Sequence, residues 1–284
     1  MYSFVILHYK SYIDTIECVN SILELDYKKV SIVIVDNASK DGSLNKIIEE
    51  FGGNKNIHII ENDRNLGFAS GNNTGYIYAK EKLDAKFIFI CNNDLVFNQK
   101  RFISNVEKIY AKTKAHIIGP DIESLADGIH QSPMKGALMN LKEINKEIFR
   151  YKTLLFLSKI GVYDFLKNNK KSTTAIDVGD KKNIFQKNVV LHGAMLIFTP
   201  LYVEKEDQAF RSGTFLYMEE DILYTYAQWK KYTMVYTPQL HVYHKEDSST
   251  NATFNSSKRK REFIFKNMIK SLKVYKGYLN RISG

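Results

Sequence analysis

The chain has 284 residues, 44% of them hydrophobic and 13% aromatic, and a formal net charge of +10. That length and apolar content exclude general disorder and suffice for one large core, alone or with an appendage. Only two cysteines, Cys18 and Cys91, without metal-type spacing, exclude a disulfide framework, and no run approaches the ~18 apolar residues of a bilayer span.

Ser3 to His8 reads as a first strand and Asp14 to Leu25 as a helix, with Ile16, Val19, Ile22 and Leu23 at 3.6-type spacing. Val30 to Val35 is a second buried strand, followed by the polar loop Asp36 to Ser43 and a helix to about Phe51. Ile57 to Ile60 is a third, and a helix from about Ser70 to Leu83 leads to the apolar run Phe87 to Cys91. Five consecutive apolar residues fit a strand buried on both faces, and this β-α-β order predicts a parallel sheet with right-handed crossovers. Ligands of such sheets sit beyond the carboxyl ends of the strands, which puts Asp36 and the triplet Asn92-Asn93-Asp94 at the mouth of a site. By position alone Asp36 either caps the next helix or accepts from a base or ribose donor. The glycines Gly67, Gly71 and Gly75 match neither a dinucleotide fingerprint nor a P-loop.

Three segments together, Asp36-Asn37-x-Ser39-x-Asp41-Gly42-Ser43, Asn65-x-Gly67-Phe68-Ala69-x-Gly71-Asn72-Asn73 and Asn92-Asn93-Asp94, resemble the family 2 glycosyltransferases of GT-A fold. Bacterial rhamnosyltransferase-like and capsule-type members are the nearest in appearance. The resemblance covers about residues 3–120 and resumes over about 189–250. It implies a mixed, mostly parallel Rossmann-like α/β sheet flanked by helices, and inverting transfer from a nucleotide-sugar donor. Asp36 would read the base, with Asn37, Asn65, Gly67, Asn72, Asn92 and Asn93 lining the donor site. Asn92-Asn93-Asp94 would stand for the Asp-x-Asp metal motif, with Asp94 on Mg²⁺ or Mn²⁺; Asn92 replaces the first acid, which leaves fewer charged ligands.

The second half supplies the acceptor side, at 189–257, preceded by a helical insertion over 136–172. Leu138, Leu141, Ile144, Ile148, Tyr151 and Leu155 recur at three- and four-residue intervals, an amphipathic helix that packs on a core or meets a partner or membrane. Val189 to Phe198 reads as an apolar strand interrupted by Gly193-Ala194; the resemblance places that pair beside the donor sugar, and close packing is the plainer alternative. Glu219-Glu220-Asp221 opens a helix with Met218, Ile222, Tyr226 and Trp229 inward. Acids suit a helix start for the dipole alone. The resemblance makes Glu220 the catalytic base, with Asp221 next in line should the register shift by one. Thr233 to Pro238 is a last strand; the family pattern of a Pro, a short spacer and a His matches His244 better than His241 and would put it on the metal, with a structural histidine the plainer alternative, and Asp247 to Asn251 reads as a mobile loop able to close over the donor.

Residues 258–284 hold nine Lys or Arg against the single acid Glu262, a local +8. Phe265, Met268, Ile269, Leu272, Tyr275, Leu279 and Ile282 form one apolar stripe beside Lys266, Lys270 and Lys273, a basic amphipathic C-terminal helix. It either packs its stripe on a 1–257 catalytic domain or docks on anionic lipid. The expected function is a hexosyltransferase moving sugar from a UDP-hexose or dTDP-rhamnose to a glycan acceptor on a lipid carrier. The expected place is cytoplasmic, peripheral at the inner face of the membrane, in cell-surface polysaccharide synthesis. A nucleic-acid binder using Lys258-Arg259-Lys260-Arg261 and an inactive scaffold are the rivals. Against the first, aromatic and basic residues are not interleaved and the body is nearly neutral, so no nucleic-acid partner is expected.

Overall fold

The computed structural model describes residues 1–27, 29–134, 138–167, 183–246 and 256–283. The loop expected over 247–251 lies outside them, as do both ends of the 136–172 insertion. In chain order the elements are β1 (Tyr2–His8), α1 (Tyr12–Leu23), β2 (Val30–Asp36), α2 (Ser43–Phe51), β3 (Ile57–Glu61), α3 (Gly67–Glu81), β4 (Phe87–Asn92), β5 (Leu95–Val96), α4 (Phe102–Thr113) and β6 (Ile117–Ser124). There follow α5 (Leu141–Lys159), α6 (Val162–Lys167), β7 (Gln186–Lys187), β8 (Met195–Phe198), α7 (Pro200–Val203), α8 (Glu219–Trp229), β9 (Met234–His244) and α9 (Ser257–Ser283).

One sheet runs β3-β2-β1-β4-β8-β6-β9-β5, with β7 also on β9. The first four strands are parallel, as their alternation with helices predicts. Period-2 alternation divides their side chains between two cores. Phe4, Ile6, Ile32, Ile34 and Phe89 face α1, α2 and α4, while Val5, Val33, Val35, Ile88 and Ile90 face α3 and α8. The organising run Phe87 to Cys91 is buried throughout, and Cys18 and Cys91 are buried free thiols.

The second half departs from the expected elements in three places. Only Met195–Phe198 of the apolar run after Val189 is strand, inserted antiparallel between β4 and β6, because the Gly193 N–H turns to a side chain instead of a neighbouring strand. Pro238 does not end β9. The ladder with β6 skips from Pro120–Thr237 to Asp121–His241, so the residue without an N–H lies in a bulge and the strand continues to His244. Trp229 lies outward, and Leu223, Thr225 and Ala227 join Ile222 on the buried side of α8.

The C-terminal stripe is packed. Leu272 and Tyr275 form a third core with Ile144, Ile148, Met218 and Ile222, and Ser271 Oγ donates to the Leu216 carbonyl at 2.7 Å. Lys266, Lys270 and Lys273 stay exposed, whereas Arg261 pairs with Asp164 at 2.8 Å and stacks on Tyr163. Phe265, Ile269, Leu272 and Tyr275 are all buried, and each contributes about 1.5–3 kcal/mol by burial. Deleting residues 258–284 should therefore lower the thermal midpoint of the remaining chain by at least ~10 °C or leave it insoluble. An unchanged melting curve for the truncated chain would show that the helix only rests on the domain.

Candidate active site

The site grows from the carboxyl ends of β1, β2 and β4. Asp36, at the end of β2, is buried; its carboxylate accepts from the Ser39 N–H at 3.1 Å and from the Ser39 hydroxyl, which shapes the loop behind it. Asn37 is a clamp. Its amide donates to Asn65 Oδ1 at 3.0 Å and to the Gly67 carbonyl at 3.2 Å, and its oxygen accepts from Asn62 and from the Leu66 N–H. All four hydrogen-bonding capacities are thus spent on holding loop 62–67 against β2. Asn72 donates to the Phe68 carbonyl, and its buried Oδ1 has no protein partner among the described residues. Gly67 has φ +79°, and a Cβ there would come within 2.3 Å of the Phe215 carbonyl, which accepts from the Phe68 N–H at 2.8 Å. The donor-side loop is therefore in direct contact with the segment that leads into α8.

At the end of β4 the triplet diverges. The Asn92 side chain is half-buried at the strand end, and its N–H donates to the Ala194 carbonyl at 2.8 Å. Asn93 turns inward, donating to Thr15 Oγ1 at 3.0 Å and the Ser11 carbonyl at 3.3 Å, so it braces α1. Asp94 faces His244, Oδ1 to Nε2, at 3.1 Å, because β5 pairs antiparallel with the end of β9. Among the described residues no three His, Cys, Asp or Glu side chains converge as a metal cluster. The pair still fits a hard divalent ion, since such ions take one or two carboxylates from protein and complete their shell with phosphate oxygens and water.

Tyr217 and Met218, both at positive φ (75° and 70°), turn the chain sharply into α8. Behind that turn the three acids separate. Glu219 is buried with Oε1 unpartnered among the described residues, and burial pushes its carboxyl up to about 8, followed by the charge of Glu220. Glu220 accepts from the Gly193 N–H at 3.2 Å, and its carboxyl is raised chiefly by burial and then by Asp221. Burial raises Asp221 as well, and this residue lies toward Tyr275. Gly193 is bracketed by His192, whose Nδ1 accepts from the Ala194 N–H at 3.1 Å and whose ring lies 6.0 Å from that of His244. Burial, then His244, lowers the His192 pKa to about 4, so the ring is neutral at physiological pH. A continuous path thus joins Glu220 to Gly193, His192, His244 and Asp94.

A Cβ at Gly193 would lie 2.5 Å from Glu220 Oε1. Because that atom ends a flexible side chain, Gly193→Ala should fold normally and displace the carboxylate. Turnover should fall at least ~10-fold with nucleotide affinity unchanged, as positional errors of this size do; equal turnover would separate Glu220 from the chemistry.

Sequence reasoning passed over Gln131, Glu246 and His192. Gln131 Oε1 accepts from His244 Nδ1 at 2.7 Å, and its amide donates to Glu246. The signal was present in the polar run His130-Gln131-Ser132 after a strand-end turn, but nothing local tied it to His244.

Residues 3–191 match the family described as Glycosyl transferase family 2. No curated protein matches the chain by sequence. Among solved structures, residues 1–349 of TarS from S. aureus in complex with UDP-GlcNAc superpose with a TM-score of 0.55 at 14% identity, over 90% of this chain and 62% of that one. The chain thus spans under two thirds of that relative. The mannosyltransferase PcManGT from Pyrobaculum calidifontis, in complex with GDP-Man and Mn²⁺, gives 0.57 at 12% identity over 99% of this chain and 74% of that one. GalNAc-T7 with UDP, GalNAc and Mn²⁺ gives 0.59 at 12%, over 88% and 44%. These likenesses carry the GT-A architecture across the second half, beyond the matched residues, and with more than half of its sequence matched the chain belongs to glycosyl transferase family 2.

Proposed function

We propose that the chain is an inverting hexosyltransferase of the bacterial rhamnosyltransferase-like or capsular type. It takes sugar from a UDP-hexose or dTDP-rhamnose and passes it to a glycan acceptor on a lipid carrier, in cell-surface polysaccharide synthesis. The observation that carries this reading is the path from Glu220 through Gly193 and His192 to the Asp94–His244 pair. With Glu220 as base and Asp94–His244 as the cation-binding pair, this path supports a single displacement. Asp36, Asn92, Gly193 and Ala194 line the donor, with loop 62–67 held in place by Asn37. The similar solved structures hold UDP-GlcNAc and GDP-Man, both nucleotide-sugars.

Glu220 takes the acceptor hydroxyl proton as that oxygen bonds to the anomeric carbon, and the bond from that carbon to the diphosphate breaks on the opposite face. The Gly193 N–H holds the carboxylate in place, and burial makes Glu220 a stronger base than an exposed carboxylate. Asp94 and His244 would hold Mg²⁺ or Mn²⁺, which when bound would supply neutralising charge to the leaving diphosphate. Turnover of a panel of UDP-, dTDP- and GDP-sugars, with the anomeric configuration of the product read by NMR, tests this. A retained configuration, or no turnover and no hydrolysis of any donor, would overturn it.

Peripheral contact with anionic membrane belongs to the same reading. No helix among the described residues is long and apolar enough to cross a membrane. Phe149 (72% exposed) and Phe156 share one outward line of α5, with Ile160 at its C-terminal cap and Phe165 of α6 also exposed. Lys146, Lys152 and Lys159 lie one turn from these aromatics, and α9 adds its exposed lysines. The intact chain should sediment with phosphatidylglycerol vesicles at low salt and be released at high salt, and Phe149→Ser with Phe156→Ser should weaken binding. Equal sedimentation with neutral vesicles would remove the electrostatic part.

A further inference from the structure

The cation reading of Asp94 and His244 leaves the opposite side of the imidazole unexplained. His244 is buried, and its Nδ1 lies 2.7 Å from Gln131 Oε1 while its Nε2 lies 3.1 Å from Asp94 Oδ1. The orientation of the Gln131 amide is set by its second contact. Its NH₂ donates to a Glu246 carboxylate oxygen, so the amide oxygen faces the histidine. An amide oxygen cannot donate, and the hydrogen of this contact therefore belongs to His244 Nδ1. With its hydrogen on Nδ1, the ring turns Nε2 toward Asp94 Oδ1 at 3.1 Å, so that both atoms address one point between the two side chains.

We propose that Gln131 is a positioning residue that fixes the Nδ1–H tautomer of His244 and so makes Nε2 a metal ligand beside Asp94, with Glu246 orienting Gln131. The proposal rests on the reading above that this pair holds a divalent cation. The geometry is well supported by the backbone. Gln131 N–H donates to the Ile122 carbonyl at 2.8 Å, and the Leu125 N–H donates to the His244 carbonyl at 2.8 Å, so β6, its following loop and β9 hold both side chains in register. The ring has no freedom to exchange its nitrogens without losing one of the two contacts. Partners of this kind on the far nitrogen of a ligating histidine typically contribute 10- to 100-fold in metal affinity.

Full-length wild type, Gln131→Leu, Gln131→Glu combined with Glu246→Gln, and Asp94→Ala should be titrated with Mn²⁺, reading the free ion by electron paramagnetic resonance. The titration is run with whichever of UDP, dTDP or GDP the wild type binds. Nitrogen-15 shifts of the His244 ring report its tautomer in the metal-free chain, and circular dichroism melts report folding. Gln131→Leu should weaken Mn²⁺ by 10- to 100-fold and lose the pure Nδ1–H signature with an unchanged melt. Gln131→Glu combined with Glu246→Gln retains an acceptor at Nδ1 and a donor between the two side chains, and should remain within about threefold of wild type. If Gln131→Leu binds Mn²⁺ like wild type while Asp94→Ala does not, the cation reading stands and the role of Gln131 is overturned. If Asp94→Ala binds as well as wild type, or wild type binds no Mn²⁺, the cation reading itself fails and this inference with it.

Discussion

Glu220→Gln should bind its nucleotide-sugar as tightly as wild type and lose at least ~10² in turnover, the usual contribution of a general base. The amide keeps the shape of the side chain and can still accept from the Gly193 N–H, so the 3.2 Å contact survives while the proton acceptor is removed. Because burial raises the Glu220 carboxyl, wild-type turnover should fall on the acid side at a pH above the ordinary carboxylate range, as the base becomes protonated. That limb should vanish from the residual activity of the amide variant. Asp221→Asn is the control. Asp221 lies one position further round the helix, toward Tyr275, and should retain most of the turnover. A dead Asp221→Asn with an active Glu220→Gln would move the base by one residue. Single-turnover rates at saturating donor distinguish these outcomes from changes in binding.

Asp94→Ala should weaken Mn²⁺-dependent binding of a nucleoside diphosphate by at least ~100-fold. Loss of an outer partner alone costs 10- to 100-fold, and Asp94 is the one carboxylate of its triplet. With Asn92 in place of a second acid and Asn93 turned toward α1, no neighbouring side chain of the triplet can take over its charge. The loss should appear in calorimetry with Mn²⁺ present and vanish when the metal is chelated, since both proteins then bind the nucleotide through other contacts. Equal affinities in the presence of Mn²⁺ would remove Asp94 from the metal site. Folding should be little changed, because the buried Asp94 side chain contacts His244 and belongs to none of the three hydrophobic cores.

Local patterning made the first half legible. Val30 to Val35 and Phe87 to Cys91 are too apolar for half-exposed strands, and the alternating helices leave little choice but parallel pairing, which β1, β2, β3 and β4 show. The stripe of the C-terminal helix was equally plain, although the sequence left open whether lipid or protein would cover it. The third core answers that, since Ile144, Ile148 and Met218 present an apolar surface of matching shape. Val189 to Phe198 misled because apolar content cannot show that a backbone N–H at Gly193 turns to a carboxylate.

Its strand ends, its buried runs and the three acids at the start of α8 were determined by the sequence alone, through periodicities of two and 3.6 that act between near neighbours. Which polar groups meet was decided only by the tertiary structure. The contacts Glu220–Gly193, His244–Gln131, Gln131–Glu246 and His244–Asp94 span 27, 113, 115 and 150 residues. No local pattern encodes such pairs. They arise because β8 is inserted between β4 and β6, and because the bulge at Pro238 lets β9 run on to β5, carrying His192 and His244 to the one strand end where Asp94 lies.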